Sequence, residues 1–96
     1  MTLVLIAELT ARTGLGERLL KELEPLVAAS LAEEGCLAYQ PHVTVGDPDR
    51  VVIIEEWADQ AALDLHTTLP HYTKAGAALG EILAKPAVLR ALVDAG

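Results

Sequence analysis

An α+β domain of ferredoxin-like topology is what this sequence predicts, and three observations lead there. Stretches of branched aliphatic residues alternate with stretches of helical period in the order β-α-β-β-α-α-β. The strand candidates are apolar on both faces, as in a sheet covered on both sides. With 96 residues and 52% hydrophobic content, the chain suits one domain, residues 1–96, with a modest core. The expected architecture is an antiparallel sheet with helices on one face.

Each element has a local reason. Thr2 to Thr10 (TLVLIAELT) is rich in branched aliphatics without a breaker and reads as a strand. Arg12 to Gly16 (RTGLG) is turn chemistry. From Glu17 to Glu34, Leu19, Leu20, Leu23, Leu26, Val27 and Leu31 recur at three- and four-residue steps, which predicts a helix. Pro25 lies inside it and predicts a kink, and Gly35 suits the position just past its end. Cys36 to Val45 reads as a second strand, with Pro41 marking a bulge or an edge. Gly46 to Arg50 (GDPDR) reads as a turn, and Val51 to Trp57 (VVIIEEW) as a third strand paired with the second in a hairpin. Asp59 is a candidate N-cap for a short helix over Gln60 to Thr67. Pro70 fits the first turn of another helix running to about Ala84. Ala87 to Asp94 (AVLRALVD) is ambiguous by pattern, and a final strand there completes the order.

The strand faces carry a further expectation. Leu3, Leu5, Ala7 and Leu9 share one side of the first strand, and Val4 and Ile6 share the other. In the third strand Val51 and Ile53 oppose Val52 and Ile54. Crossover helices cover one face, and a second copy of the chain is the simplest cover for the other, which predicts a homodimer.

Charge and length exclude several function classes. A formal net charge of -7 without a Lys/Arg cluster disfavours nucleic acid. The longest apolar run, Leu3 to Ala7, is far too short to span a bilayer, and no signal-peptide pattern opens the chain. Cys36 is the single cysteine, so no intrachain disulfide can form and a cytoplasmic location is the default expectation.

Chemistry concentrates in "LHTTLPHY", Leu65 to Tyr72, where two of the three histidines stand five residues apart across a proline. His66 follows Leu63 by three residues and shares the inward side of the short helix, while His71 falls in the first turn of the next one. The pair is not the i, i+4 arrangement of zinc-binding helices, and no CxxC or HExxH pattern accompanies it, so no metal site is expected. General acid/base work is one reading of each histidine, and a helix-junction residue bonding backbone is the other. In "EEW", Glu55 and Trp57 point to one face and Glu56 to the other, so one glutamate either lies on an apolar face, where it needs a partner or a raised pKa, or stands at a solvated strand end. Trp57 and Tyr39 read equally as core residues or as pocket walls, and Cys36 as a small buried hydrophobe.

Four segments in order, "EEGCLAY" (Glu33 to Tyr39), "IEEW" (Ile54 to Trp57), "AALDLH" (Ala61 to His66) and "PHY" (Pro70 to Tyr72), resemble the antibiotic-biosynthesis monooxygenase family. Within that family the chain is similar to the quinol monooxygenases and to the branch that isomerises a phosphorylated quorum-sensing signal. The resemblance implies a dimeric α+β barrel with a pocket between sheet and helices. It implies catalytic roles for His66, His71 and Glu55, and substrate contacts from Trp57 and Tyr72; Tyr39 is a further candidate for substrate contact. Heme-degrading and polyketide-type members use a pocket asparagine, and this chain contains no Asn. The leading expectation is a cofactor-independent monooxygenase acting on a small hydroxylated aromatic, such as a quinol, with dioxygen as co-substrate. An isomerase or lyase abstracting a proton next to a carbonyl is the second, with Lys74 and Lys85 as the candidate cations for a phosphate. A non-catalytic binding module of the same fold is the third.

Overall fold

The computed structural model describes residues 2–96. The elements are β1 (Leu3–Thr10), α1 (Gly16–Leu31), β2 (Cys36–Thr44), β3 (Asp47–Trp57), α2 (Gln60–His66), α3 (Pro70–Leu79) and β4 (Val88–Leu92). The strands form one antiparallel sheet in the order β2-β3-β1-β4. This is the ferredoxin-like arrangement, with α1 and α2 packed on one face of the sheet and α3 against α1.

The apolar alternation becomes a core. Leu5, Ala7 and Leu9 of β1 and Val51 and Ile53 of β3 are buried beneath Leu19, Leu23 and Leu26 of α1. Each fully buried aliphatic side chain of this size contributes about 1.5–3 kcal/mol. The other face carries Val4, Ile6, Val52, Ile54 and Leu92, and no helix packs on it. Ile53 is 2% exposed and Ile54 41%, which separates the two faces of β3.

Several boundaries differ from expectation. The turn between β2 and β3 is only Val45 and Gly46, because Asp47 already pairs with Thr44. Gly46 takes φ +81°, which a glycine adopts without strain, so "DPDR" continues as strand. Pro41 sits on an edge strand as expected, while the register of β2 against β3 shifts at two other places, between Cys36 and Ala38 and between Val43 and Thr44. Pro25 lies on the exposed side of α1, and the helix continues through it. Gly35 does not take the left-handed conformation of a helix terminator. Its role is close approach, because a Cβ there would collide with the Ala62 methyl of α2. α3 stops at Leu79, not near Ala84, since Arg12 donates its backbone N–H to Ile82 O and Ala84 donates its own to Thr10 O. The chain after α3 thereby returns to the end of β1.

The barrel is corrected outright. β2 and β4 stand at opposite edges, and each bonds to one neighbour only. Adjacent strands rotate by roughly 20–25°, so four strands give a twisted open sheet without the further strands that closure requires.

Candidate functional site

The site is built where the end of α1, the inner face of β3, and the junction between α2 and α3 converge. Asp59 caps α2 by accepting from Ala62 N at 2.8 Å, which sets the helix phase so that Leu63 and His66 both point inward. Pro70 occupies the first turn of α3, where its missing N–H costs nothing, and His71 follows in that turn. Glu33 lies just beyond α1. Gly35 allows α2 to lie against the segment carrying it, and Ala58 N donates to Gly35 O at 2.8 Å.

His66 is 2% exposed and central. Its ring centroid is 4.5 Å from that of Trp57, 5.1 Å from Tyr72, 5.7 Å from Tyr39 and 5.8 Å from His71. Its Nδ1 lies 2.6 Å from Glu33 Oε2, and His71 Nε2 lies 2.7 Å from the same oxygen. A charged carboxylate only accepts, so against it each of these ring nitrogens meets the oxygen as an N–H donor. The other oxygen of Glu33, Oε1, is buried without a partner among the described residues. Side-chain exposure runs from 2% at His66 through 10% at Glu33 to 22% at His71.

Glu55 lies next to this trio on β3, 3% exposed, and accepts from Trp57 Nε1 at 2.9 Å. Burial raises its pKa to about 7; the Trp57 bond opposes that shift and the nearby Glu33 charge adds to it. Tyr39 is likewise pushed upward, first by burial and then by Glu55. Cys36 rises to about 11, chiefly by burial and then through Glu33 and Glu55, which makes it a poor nucleophile.

A cavity of about 390 Å³ opens between the sheet and the helices. Leu5, Leu9, Leu23, Leu26, Ile53 and Leu79 are among its apolar walls, and Tyr39, Glu55, His66 and Tyr72 supply polar groups to it. Four of the six expected site residues therefore line one space. Trp57 and His71 do not line it: Trp57 stands behind His66 as the donor to Glu55, and His71 stands on the Glu33 side of the ring. Lys74 and Lys85 are exposed and do not line it either, while Glu55 and Asp64 do. The cavity offers an anionic phosphate no cation.

Glu33 was not singled out among the candidates. The signal available in sequence was its spacing: the buried stripe Leu19, Leu23, Leu26, Ser30 continues by three residues to Glu33. An acid on the continuation of a core stripe needs partners, and here they are two histidines from beyond the hairpin. Glu33, His66 and His71 also make a two-imidazole, one-carboxylate donor set, with ligand atoms within 4.8 Å of one another. Their spacing is that of hydrogen bonds. Donors about 2.0–2.1 Å from one tetrahedral zinc ion stand about 3.3 Å apart, whereas here the oxygen lies 2.6 and 2.7 Å from the nitrogens.

The family model described as "Antibiotic biosynthesis monooxygenase" matches residues 2–78. The chain is 33% identical to "Putative monooxygenase YcnE" of Bacillus subtilis over 88% of each chain. It is 35% identical to "Probable quinol monooxygenase YgiN" of Escherichia coli, over 72% of this chain and 76% of that one. Among solved structures, PA3566 from Pseudomonas aeruginosa superposes with a TM-score of 0.91 at 36% identity, over 99% of this chain and 95% of that one. Rv0793 from Mycobacterium tuberculosis does so with a TM-score of 0.90 at 27% identity, over 100% and 97%. With a family model spanning most of its length and relatives above 30% identity along it, the chain belongs to the antibiotic biosynthesis monooxygenase family.

Proposed function

We propose that this protein is a cofactor-independent monooxygenase that oxidises a small, uncharged hydroxylated aromatic such as a quinol. The observation that carries the reading is the cavity: apolar walls, a buried histidine at its edge, and no lysine or arginine among its lining residues. Such a space favours a flat apolar ring and repels a substrate that is already anionic. His66 is the base for the ring hydroxyl, and Tyr39 and Tyr72 flank the substrate. Glu55 lines the same cavity and, with its pKa raised to about 7, exchanges a proton near neutral pH.

The chemistry follows from the substrate once it is deprotonated. The phenolate is electron-rich and passes one electron to dioxygen. The resulting pair joins at a ring carbon as a peroxide anion, which takes up the proton removed from the hydroxyl to become a hydroperoxide. Cleavage of its O–O bond leaves one oxygen on the ring and releases the other as water, so a quinol and O₂ become a hydroxyquinone and H₂O. The protein's part is to take the hydroxyl proton, hold the anion away from water and return a proton to the departing oxygen. The quinol named for YgiN is a property of that relative and supports this substrate class by similarity alone.

We further propose that the protein acts as a homodimer, with the open face of the sheet covered by a second copy. Val4, Ile6, Val52, Ile54 and Leu92 support this reading. The decisive test of the activity is oxygen uptake by metal-free, flavin-free protein over a panel of quinols and hydroxylated polycyclic aromatics. Uptake that is stoichiometric with hydroxyquinone formation is expected, and no uptake across the panel refutes the reading.

A further inference from the structure

We propose that Glu33 is the positioning residue of this site: it keeps the proton of His66 on Nδ1 and so leaves Nε2 as the basic nitrogen facing the cavity, with His71 as the second donor that holds the carboxylate in place. The inference rests on His66 being the base, and it assigns work to two residues that do not themselves line the cavity.

The geometry supports each part. His66 lines the cavity while Glu33, in contact with its Nδ1, does not, so the carboxylate meets the ring outside the space a substrate would fill. The 2.6 Å contact commits Nδ1 to Glu33, which leaves the opposite ring nitrogen for the substrate hydroxyl. A neutral imidazole has one donor nitrogen and one acceptor nitrogen, and the partner of the first decides the identity of the second. His71 then bonds the same Oε2 at 2.7 Å, so that oxygen is held from two directions. Glu33 Oε1 remains buried and unpaired among the described residues, a costly arrangement that core packing alone does not call for.

The step balances simply. The proton of the substrate hydroxyl moves to His66 Nε2, and the substrate becomes the oxyanion. The ring becomes imidazolium and keeps its Nδ1–H against Glu33, whose negative charge offsets the new positive one. The proton on Nε2 then goes to the outer oxygen of the peroxide anion, which later leaves as water with the hydrogen of the attacked ring carbon, and the imidazole returns to its starting tautomer. Glu33 neither gains nor loses a proton, which is the part played by the buried carboxylate in hydrolytic triads.

The test reads tautomer and turnover separately. In ¹⁵N spectra of the labelled parent protein, the neutral His66 ring is expected to carry its hydrogen on Nδ1. A parent ring protonated on Nε2 overturns the proposal without any variant having to fold. Glu33→Gln can offer its amide N–H to the ring, so His66 is expected to shift toward the Nε2–H tautomer. Its kcat is expected to fall roughly 10²- to 10⁴-fold, with KM within about threefold, while circular dichroism remains that of the parent. His71→Gln is expected to keep the Nδ1–H tautomer and to lose less turnover than Glu33→Gln. A folded Glu33→Gln protein with kcat within threefold of the parent overturns the proposal. A parent that converts none of the quinol panel counts against the oxygenase reading alone, and the nitrogen spectra still decide the role of Glu33.

Discussion

Replacing Glu55 by Gln should stabilise the protein at pH 8 and leave its stability nearly unchanged at pH 4. Glu55 is almost wholly buried, and its pKa of about 7 in the fold compares with an ordinary value of 4.5. Between those two values the folded state holds a proton that the unfolded state has released. Unfolding therefore releases a proton in this window, and stability falls as pH rises through it. Below about 4.5 the carboxyl is neutral in both states and resembles an amide. Above about 7 it is ionised in both, and the fold carries the cost of a buried charge. The gap between 4.5 and about 7, at 1.36 kcal/mol per pH unit, is about 3 kcal/mol. Glutamine keeps an oxygen to accept from Trp57 Nε1, so the 2.9 Å bond survives the substitution. At about 4–8 °C per kcal/mol for a domain of this size, Tm at pH 8 should rise by 10 °C or more. Urea titrations of parent and variant from pH 4 to pH 8, at one protein concentration and followed by the fluorescence of the sole tryptophan, give the difference directly. A difference that stays constant with pH, or that vanishes at pH 8, would refute the burial of an ionisable Glu55.

His66→Gln should lower kcat on a converted quinol by roughly 10²- to 10⁴-fold, the usual contribution of a positioned base. It should also lower Tm, because the ring is buried among Trp57, Tyr39 and Tyr72 and bonds a buried carboxylate; turnover per folded molecule, measured below the transition, separates the two effects. Ile53→Asp should unfold the chain, since it places an unpaired charge beneath α1, whereas Ile54→Asp should leave circular dichroism intact and convert the proposed dimer to monomer in sedimentation. A parent that sediments as a monomer at micromolar concentration refutes the dimer. Asp49→Ala removes the carboxylate that accepts from Gly14 N at 3.0 Å and Gly16 N at 2.9 Å at the start of α1. It should cost about 1–2 kcal/mol, seen as a Tm lower by several degrees with KM unchanged.

The elements of this protein were legible in its sequence because their causes are local. The aliphatic run of β1, the helical stripe of α1, the Asp59 cap and Pro70 at the start of α3 each act within a few residues. The period-two pattern likewise announced that both faces of the sheet are apolar, but for the glutamates of "EEW" it left a buried carboxylate and a solvated strand end as equal readings, and the structure buries Glu55. Pattern could not say which of Ile53 and Ile54 faces the helices, because both faces are apolar and only the packing of α1 distinguishes them. Nor did it set the end of α3, which depends on bonds to Thr10 and Arg12 far away in the chain, or the length of the hairpin turn, which depends on the pairing of Thr44 with Asp47.

The site divides along the same line. His66, Glu55, Tyr39 and Tyr72 could be chosen by residue type, by helix or strand phase, and by the family's motifs. Their meeting around one cavity is a tertiary fact. Glu33 shows the limit most clearly, since it lies 33 residues from His66 and 38 from His71, and no spacing rule joins them. What joins them is the return of the β2–β3 hairpin and the closeness of α2 to Gly35, where the absence of a side chain lets Glu33 reach the ring. The open sheet has the same kind of origin: the family's motifs imply a barrel, but closure depends on which strands pair, and β2 and β4 lie at opposite edges. Sequence alone determined which residues are capable of proton chemistry and which elements carry them. Tertiary structure decided which of those residues touch, because hydrogen bonds and burial depend on distances that only the packed chain defines.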